Sequence, residues 1–366
     1  MTDKMSADTT LAENVAAAKI PVTVLTGYLG AGKTTLLNRI LSEPHGHKFA
    51  VIVNEFGEIG VDNDLIVGVD EEIFEMNNGC ICCTVRGDLI RIIEGLMRRR
   101  GKFDSIIIET TGLADPAPVA QTFFVDAELA RKAKLDAVVT VADAKWLKER
   151  LRDAPEAKNQ IAFADVILVN KTDLVGAADL AEIEGRIRAI NPYASLHRTE
   201  RCAVPLAAVL GRNAFDLDRI LEVEPAFLDR GEEHDHREQG HDHGDHDHHH
   251  DDHHDHHHDH GGLKHYHDEE MQSLSIRTDK ALDPDRFFPW IQNLVAQEGR
   301  NILRTKGILA FKDDPQRFAF QGVHMMLDGD HQRDWRSDEK RESRIVFIGR
   351  ELPESMIRKG FEECLA

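Results

Sequence analysis

Residues 20–38 read IPVTVLTGYLGAGKTTLLN, and the order of residue types dictates a strand, a glycine loop and the start of a helix. Ile20 to Leu25 is a short, largely β-branched apolar run, the mark of a buried parallel strand. Gly27, Gly30 and Gly32 let the backbone curl so that successive N–H groups face inward, with Ala31 inside the same curl. Lys33, Thr34 and Thr35 then open a helix whose positive end points the same way. Such a nest recognises phosphate. The spacing Gly27-x4-Gly32-Lys33-Thr34 is the P-loop pattern, in which Lys33 reaches the β- and γ-phosphates and the Thr34 hydroxyl takes a Mg2+ position. The amphipathic Leu36, Leu37, Ile40, Leu41 pattern behind it separates this reading from a glycine-rich turn that binds nothing.

Residues 49–53 (FAVIV) form a second buried strand leading into Asn54-Glu55-Phe56-Gly57-Glu58. The acidic, glycine-bearing segment 55–64 follows directly, where a first switch loop would meet Mg2+ and the γ-phosphate. Asp62 is the candidate carboxylate near that ion, and a solvated acidic loop accounts for it equally well. Strand 105–108 ends in Glu109-Thr110-Thr111-Gly112. A carboxylate at a strand tip fits a Walker B position holding Mg2+, with Glu in place of the commoner Asp, and Gly112 is free to swing toward a γ-phosphate. Strands 138–141 and 166–169 come next, the second running into Asn170-Lys171-Thr172-Asp173. A fixed Asp173 accepts two hydrogen bonds from the N1–H and exocyclic amine of guanine, a donor pair that adenine lacks. The competing reading is a helix N-cap, because Asp173 precedes a helical stretch at 177–190. Its place at the end of a core strand, far behind a P-loop, favours GTP and GDP over ATP.

Residues 73–76 read as a short strand and Asn77-Asn78-Gly79 as a turn, after which comes Cys80-Ile81-Cys82-Cys83. Thiols at i and i+2 of an extended segment point to one side, and a bend brings the third around, so three thiolates can reach one ion. A structural zinc site closes four ligands from two separated pairs. The open set here suits exchangeable Zn2+, with Glu55, Glu58 or solvent as a further ligand. Affinity order favours Zn2+ over Co2+. A redox-active thiol pair and inert cysteines are the alternatives. Cys202 and Cys364 stand alone and read as plain semi-buried thiols without a role. A helix is expected at 88–100, with cations at its C-terminal end.

The 366 residues allow about two domains, and 41% hydrophobic with 30% charged residues is ordinary for a globular chain. The net charge of -20 is concentrated: fourteen acidic residues lie between Glu232 and Glu270 against Arg237 and Lys264. Neither part offers a basic surface for nucleic acid. No run approaches the roughly 20 apolar residues of a bilayer span, so membrane insertion is not expected. Residues 1–19 read as a disordered leader, interrupted by Glu13 and Asn14, of a cytoplasmic protein. From His234 to His267 lie sixteen of the twenty-one histidines, interleaved with Asp. That composition cannot bury a core, so 229–270 reads as a mobile linker that collects Zn2+, Co2+ or Ni2+ without selectivity. An acidic spacer would explain the aspartates but not the histidines.

Alternating strands and helices up to about Leu221 predict an α/β domain with a mainly parallel, doubly wound sheet over 20–228. From Met271 to the C-terminus the pattern is globular again, with strands at 272–278, 302–311, 317–326 and 344–349 and helices at 284–297 and 353–365. These predict a small α+β sandwich of ferredoxin-like kind over 271–366.

The motifs GYLGAGKTT, NEFGEIGVD, GCICCTVRGDL, ETTG and NKTD, with RTKGILAF, FQGVH and RIVFIGREL behind them, resemble the CobW family of P-loop GTPases from about Ile20 onward. The resemblance implies a GTP-hydrolysing metallochaperone that delivers a metal ion, zinc first, to a client metalloprotein. Other branches implied are cobalt-directed service to cobalamin biosynthesis and activation of metalloenzymes of the nitrile hydratase type. It also implies residue roles: Gly27, Gly30, Ala31, Gly32, Lys33, Thr34 and Thr35 for phosphates and Mg2+, and Glu109 and Gly112 for the Walker B and second-switch roles. Asn170, Lys171 and Asp173 take guanine; the transported metal falls to Cys80, Cys82 and Cys83, with Glu58 the candidate further ligand read from the sequence beside Glu55 and solvent. A redox enzyme built on the cysteines, or a metal store or sensor with GTP as a scaffold, are the other classes. A homodimer is one assembly the resemblance allows. No arginine finger or water-positioning residue can be named, so slow intrinsic turnover is expected.

Overall fold

Parallel strands with helices between them build the nucleotide-loop half of the chain. The computed structural model describes residues 19–44, 46–54, 72–76, 84–98, 103–214 and 270–366. Strand β1 (Ile20–Thr26) feeds helix α1 (Lys33–Ser42), followed by β2 (Phe49–Asn54), β3 (Glu72–Met76), α2 (Thr84–Met97) and β4 (Ser105–Glu109). Then come α3 (Ala117–Val125), α4 (Ala127–Lys132), β5 (Ala133–Asp143), α5 (Leu147–Asp153), α6 (Pro155–Phe163), β6 (Val166–Asn170), α7 (Ala177–Ile190) and β7 (Ser195–Thr199). The sheet order is β3-β2-β4-β1-β5-β6-β7, with every pair parallel. Runs such as Ile106-Ile107-Ile108 and Val166 to Val169 are buried on both faces, as an apolar run covered by helices must be.

Helix α1 packs Leu36, Leu37, Ile40 and Leu41 on one face of this sheet, and α2 to α7 cover the other. Because β1 lies between β4 and β5, the loops after β1, β4, β5 and β6 gather at one carboxyl edge, where ligands of doubly wound sheets bind. Helix α2 begins at Thr84 rather than Asp88. Residues 1–18 of the expected leader, the expected switch segment 55–64 and residues 229–269 of the expected linker lie outside the described residues.

The C-terminal part runs β8 (Met271–Thr278), α8 (Pro284–Glu298), β9 (Ile302–Ala310), β10 (Gln316–Val323), β11 (Met326–Asp334), β12 (Ser343–Arg350) and α9 (Glu354–Glu363). Its antiparallel sheet has the order β11-β10-β9-β12-β8. The β8–α8–β9 unit with β12 between its strands is the split βαβ of ferredoxin-like folds, and the β10–β11 hairpin then extends the sheet. The strand expected over 317–326 breaks at His324, whose φ of 53° turns the chain. Strand β11 escapes sequence patterning because its DGDHQRD run is an exposed, polar edge. One sheet face carries α8 and α9 through Phe287, Ile291, Phe347 and Phe361. The other lies on α3, α6 and α7, with Leu303, Ile308 and Val346 joining the helical core.

Candidate nucleotide-binding active site

Gly32 is the N-cap of helix α1, with φ 118° and no side-chain cap hydrogen bond, so no capping side chain closes the positive end that suits an anion. The loop before it is shaped by close approach. A Cβ on Gly27, at φ 140°, would sit 2.2 Å from the carbonyl oxygen of Val141, and one on Gly32 would sit 2.7 Å from Nδ2 of Asn170. Gly30, at φ 72°, faces open space. Lys33 is nearly buried, and its Nζ donates to the Gly27 carbonyl at 2.9 Å, which holds the ammonium across the loop mouth. Thr35 is exposed on the first turn of α1.

Glu109 ends β4 at the same edge, and its Oε1 accepts from the Thr34 hydroxyl at 3.4 Å. A buried carboxylate beside a hydroxyl is a hard-oxygen pair that fits Mg2+. Thr110 ties the following loop to β1, its N–H donating to the Leu25 carbonyl at 2.9 Å. Gly112 packs against the P-loop so closely that a Cβ would lie 2.6 Å from the amide nitrogen of Leu29. A cleft of about 420 Å3 opens beside these two loops, lined by Tyr28, Leu29, Asp143, Trp146, Arg150 and Gln160 among others. In it the Arg150 guanidinium stacks 4.9 Å from the centre of the Tyr28 ring.

Asn170, Lys171 and Asp173 divide their labour. Asn170 is 2% exposed; its Nδ2 donates to the Ala31 carbonyl at 2.9 Å, and its Oδ1 accepts from Thr199 Oγ1 at 3.1 Å and from the Cys202 N–H at 2.8 Å. It braces two loops. Lys171 adopts a left-handed φ of 61°, and its Nζ reaches the Gly30 carbonyl at 2.8 Å and Asp143 Oδ2 at 2.6 Å. Asp173 lies in the short turn Thr172–Leu174, exposed and with no hydrogen bond to its carboxylate among the described residues, so both oxygens are open to outside donors. The N-cap of α7 is Gly176, which removes the capping alternative for Asp173.

Cys202 departs from expectation. It is fully buried rather than semi-buried, its Sγ lies 3.4 Å from the Gly32 carbonyl, and its own carbonyl accepts from Arg39. Burial pushes its thiol up to about 11 against the pull of Arg39 and Lys171. Cys364 is buried too. Thr199, Cys202 and Asp143 complete the nucleotide edge, and sequence reasoning missed all three. The backbone signals that mark this corner, positive φ at Lys171, Arg201 and Cys202, have no counterpart in residue type.

Cys80, Cys82, Cys83, Glu58 and Asp62 lie outside the described residues. Among the described residues no group of three His, Cys, Asp or Glu side chains could hold a metal ion. No helix of the described residues is long and apolar enough to cross a membrane.

Residues 21–198 match the family model of the CobW/HypB/UreG nucleotide-binding domain, and residues 271–365 match that of the cobalamin synthesis protein cobW C-terminal domain. The chain is 35% identical over 350 residues to the zinc chaperone YjiA of Escherichia coli K12, covering 93% of this chain and 98% of that one. It is 34% identical over 331 residues to the zinc-regulated GTPase metalloprotein activator 1 of Schizosaccharomyces pombe, covering 84% and 76%. The crystal structure of Zn(II)-bound YjiA GTPase from E. coli aligns with a TM-score of 0.70 at 30% identity, across 95% of this chain and all of that one. With both family segments present in order and a full-length relative above 30% identity, the chain belongs to the CobW family.

Proposed function

We propose that this protein hydrolyses GTP and couples that hydrolysis to handing zinc to a client metalloprotein. The observation that carries the reading is a convergence at one sheet edge: the Thr34–Glu109 pair at 3.4 Å, and an exposed Asp173 carboxylate on a turn braced to the P-loop by Asn170. The names of the relatives, zinc chaperone and zinc-regulated GTPase metalloprotein activator, supply the cargo and the client. In this reading the Gly27–Gly32 curl and Thr35 hold phosphate oxygens, and Lys33 exchanges the Gly27 carbonyl for the β- and γ-phosphates. Asp173 takes the N1–H and amine of guanine, and Lys171 lies along the base. Thr34, Glu109 and Asp62 hold Mg2+, which when bound neutralises charge on the phosphates. Gly112 turns its N–H toward the γ-phosphate.

Zinc is cargo on Cys80, Cys82 and Cys83 with Glu58, thiolates that prefer it to Co2+. The His/Asp segment 229–270 gathers metal between a GTPase domain at 20–228 and a C-terminal domain at 271–366, a division supported by the matched segments 21–198 and 271–365. Its capacity falls as pH drops through about 6.5, where imidazole protonates. Deleting 234–267 lowers the zinc stoichiometry, and an unchanged stoichiometry refutes the gathering role. The work belongs in the cytoplasm, where thiols stay reduced.

Anaerobic zinc titration of the GTP and GDP forms, with turnover recorded in parallel, tests the coupling. The expected outcome is a zinc affinity that differs between the two forms, and by linkage a nucleotide affinity that zinc changes by the same factor. Replacing Cys80, Cys82 and Cys83 by serine abolishes the response of turnover to zinc. Equal zinc affinities in both forms, or an unaltered response in the serine variant, overturns the proposal.

A further inference from the structure

Helix α6 touches both the loop behind Glu109 and the C-terminal sheet, and its residues from Ala157 to Phe163 are all buried. Buried polar side chains need partners, and those of α6 find them on opposite sides. Gln160 Nε2 donates to the carbonyls of Gly112 and Ala114, each at 3.1 Å. Asn159 Nδ2 donates to Asp115 Oδ2 at 2.9 Å, and its Oδ1 accepts from Arg350 Nη2, at the end of β12, at 2.7 Å. Lys158 pairs with Glu270 at 2.8 Å, and the Phe163 carbonyl accepts from Arg304. Nine residues of helix thus join loop 112–115 to Arg304 and Arg350 of the C-terminal part, and to Glu270 directly before it, by direct bonds.

The loop end of this chain of contacts stands where the third phosphate enters. Gly112 occupies the space beside the Leu29 amide, within the curl that cradles phosphate, with no room even for a methyl group. A γ-phosphate seated at that amide shifts Gly112 off the Leu29 amide and turns its N–H toward the phosphate, as in the reading above. Because Gln160 and Asn159 grip Gly112, Ala114 and Asp115 together, the loop moves as a unit and takes its partners on α6 with it. A packed interior shifts between discrete arrangements rather than absorbing such a change locally.

We propose that α6 relays γ-phosphate occupancy to the C-terminal domain, with Gln160 and Asn159 as positioning residues for loop 112–115 and Arg350 as the receiving group. The relay rests on the GTPase reading above. It is reciprocal: whatever loads the C-terminal domain changes the preference of the P-loop for GTP over GDP by the same factor.

Hydrogen–deuterium exchange on the full chain, with GDP and with a non-hydrolysable GTP analogue, tests it in the parent, Arg350→Ala and Asn159→Asp. The parent shows a nucleotide-dependent difference at 112–115, in α6 and at the carboxyl end of β12. Arg350→Ala removes a partly exposed side chain; it keeps the first two differences, reduces the third about five-fold and binds the analogue as the parent does. Asn159→Asp sets a carboxylate against Asp115 while keeping an acceptor for Arg350, and it loses the differences in α6 and β12. Thermal unfolding of both variants verifies that they are folded, and Arg350→Gln replaces Arg350→Ala if the latter is not. A parent response confined to 112–115, or a β12 response that survives loss of the arginine, overturns the relay and leaves the GTPase reading standing. Failure of the parent to bind the analogue overturns the GTPase reading, and the relay with it.

Discussion

Asp173 is available to a ligand because its neighbours are otherwise engaged. Asn170 is consumed by the brace to Ala31 and Cys202, and Lys171 is folded over Gly30 and Asp143. In the proposed GTPase reading, selectivity for guanine therefore falls on one carboxylate. Asp173→Asn lowers GTP affinity about 100-fold, the scale of a charge-assisted hydrogen-bond pair, and creates affinity for xanthosine triphosphate, whose C2 carbonyl accepts from the new amide. Titration with both nucleotides checks this, and unchanged GTP affinity refutes it. The buried cysteines yield a second expectation. Burial pushes the thiols of Cys202 and Cys364 up to about 11, and only the thiolate reacts. A thiol reagent at about pH 8 leaves both unmodified in the folded chain and labels them on unfolding. Cys202→Ser accordingly leaves the rapid native count unchanged.

The P-loop shows that two glycines of one motif answer to different constraints. Gly27 must be glycine because the Val141 backbone occupies the place of a side chain, whereas Gly30 meets only the backbone requirement of positive φ. Gly27→Ala displaces β1 from β5 and abolishes nucleotide binding. Gly30→Ala keeps the loop at a cost of roughly 1–2 kcal/mol, the penalty of a left-handed residue with a side chain. Denaturant unfolding and nucleotide titration of the two variants check the contrast; equal losses refute it. A similar constraint ends β10: His324 turns at φ 53° with its Nδ1 3.0 Å from the Gly299 carbonyl, so the chain reverses before Met326, the end expected for this strand.

Across the whole molecule, the two sheets are joined by a buried charge cluster. Asp165, at the foot of β6, accepts from Arg304 and from Lys306 Nζ at 3.1 Å, and its Oδ2 takes the Val138 N–H at 2.8 Å. Burial alone would raise its pKa, but the Arg304 and Lys306 charges outweigh it and hold the carboxyl below the ordinary value of 3.8. A depressed folded pKa stabilises the fold above the unfolded value, and that stability is lost as pH falls through the folded one. Below pH 3.8 the domain interface therefore weakens. Asp165→Asn leaves two buried cations facing no carboxylate at this point and costs about 3–5 kcal/mol at neutral pH. Chemical denaturation at several pH values checks this: the gap between parent and variant narrows in acid, and a constant gap refutes the assignment.

Contiguous residues by themselves determined the P-loop, the buried strands, the NKTD turn and the globular character of the C-terminal part, because each encodes a backbone shape within a few positions of chain. Gly27, Gly32, Lys33, Thr34, Glu109 and Asp173 were singled out for that reason, and the structure puts Thr34 beside Glu109. Tertiary structure alone decided that Asn170 is a brace, that Cys202 underlies the nucleotide edge and that α6 bridges the two halves. It also buried Arg304 and Lys306, which a strand pattern assigns to solvent. The reason is distance along the chain: Asn170 meets Ala31, and Arg304 meets Asp165, each across 139 positions. A polar side chain carries no local sign of whether its partner is water or a carboxylate brought in by another sheet.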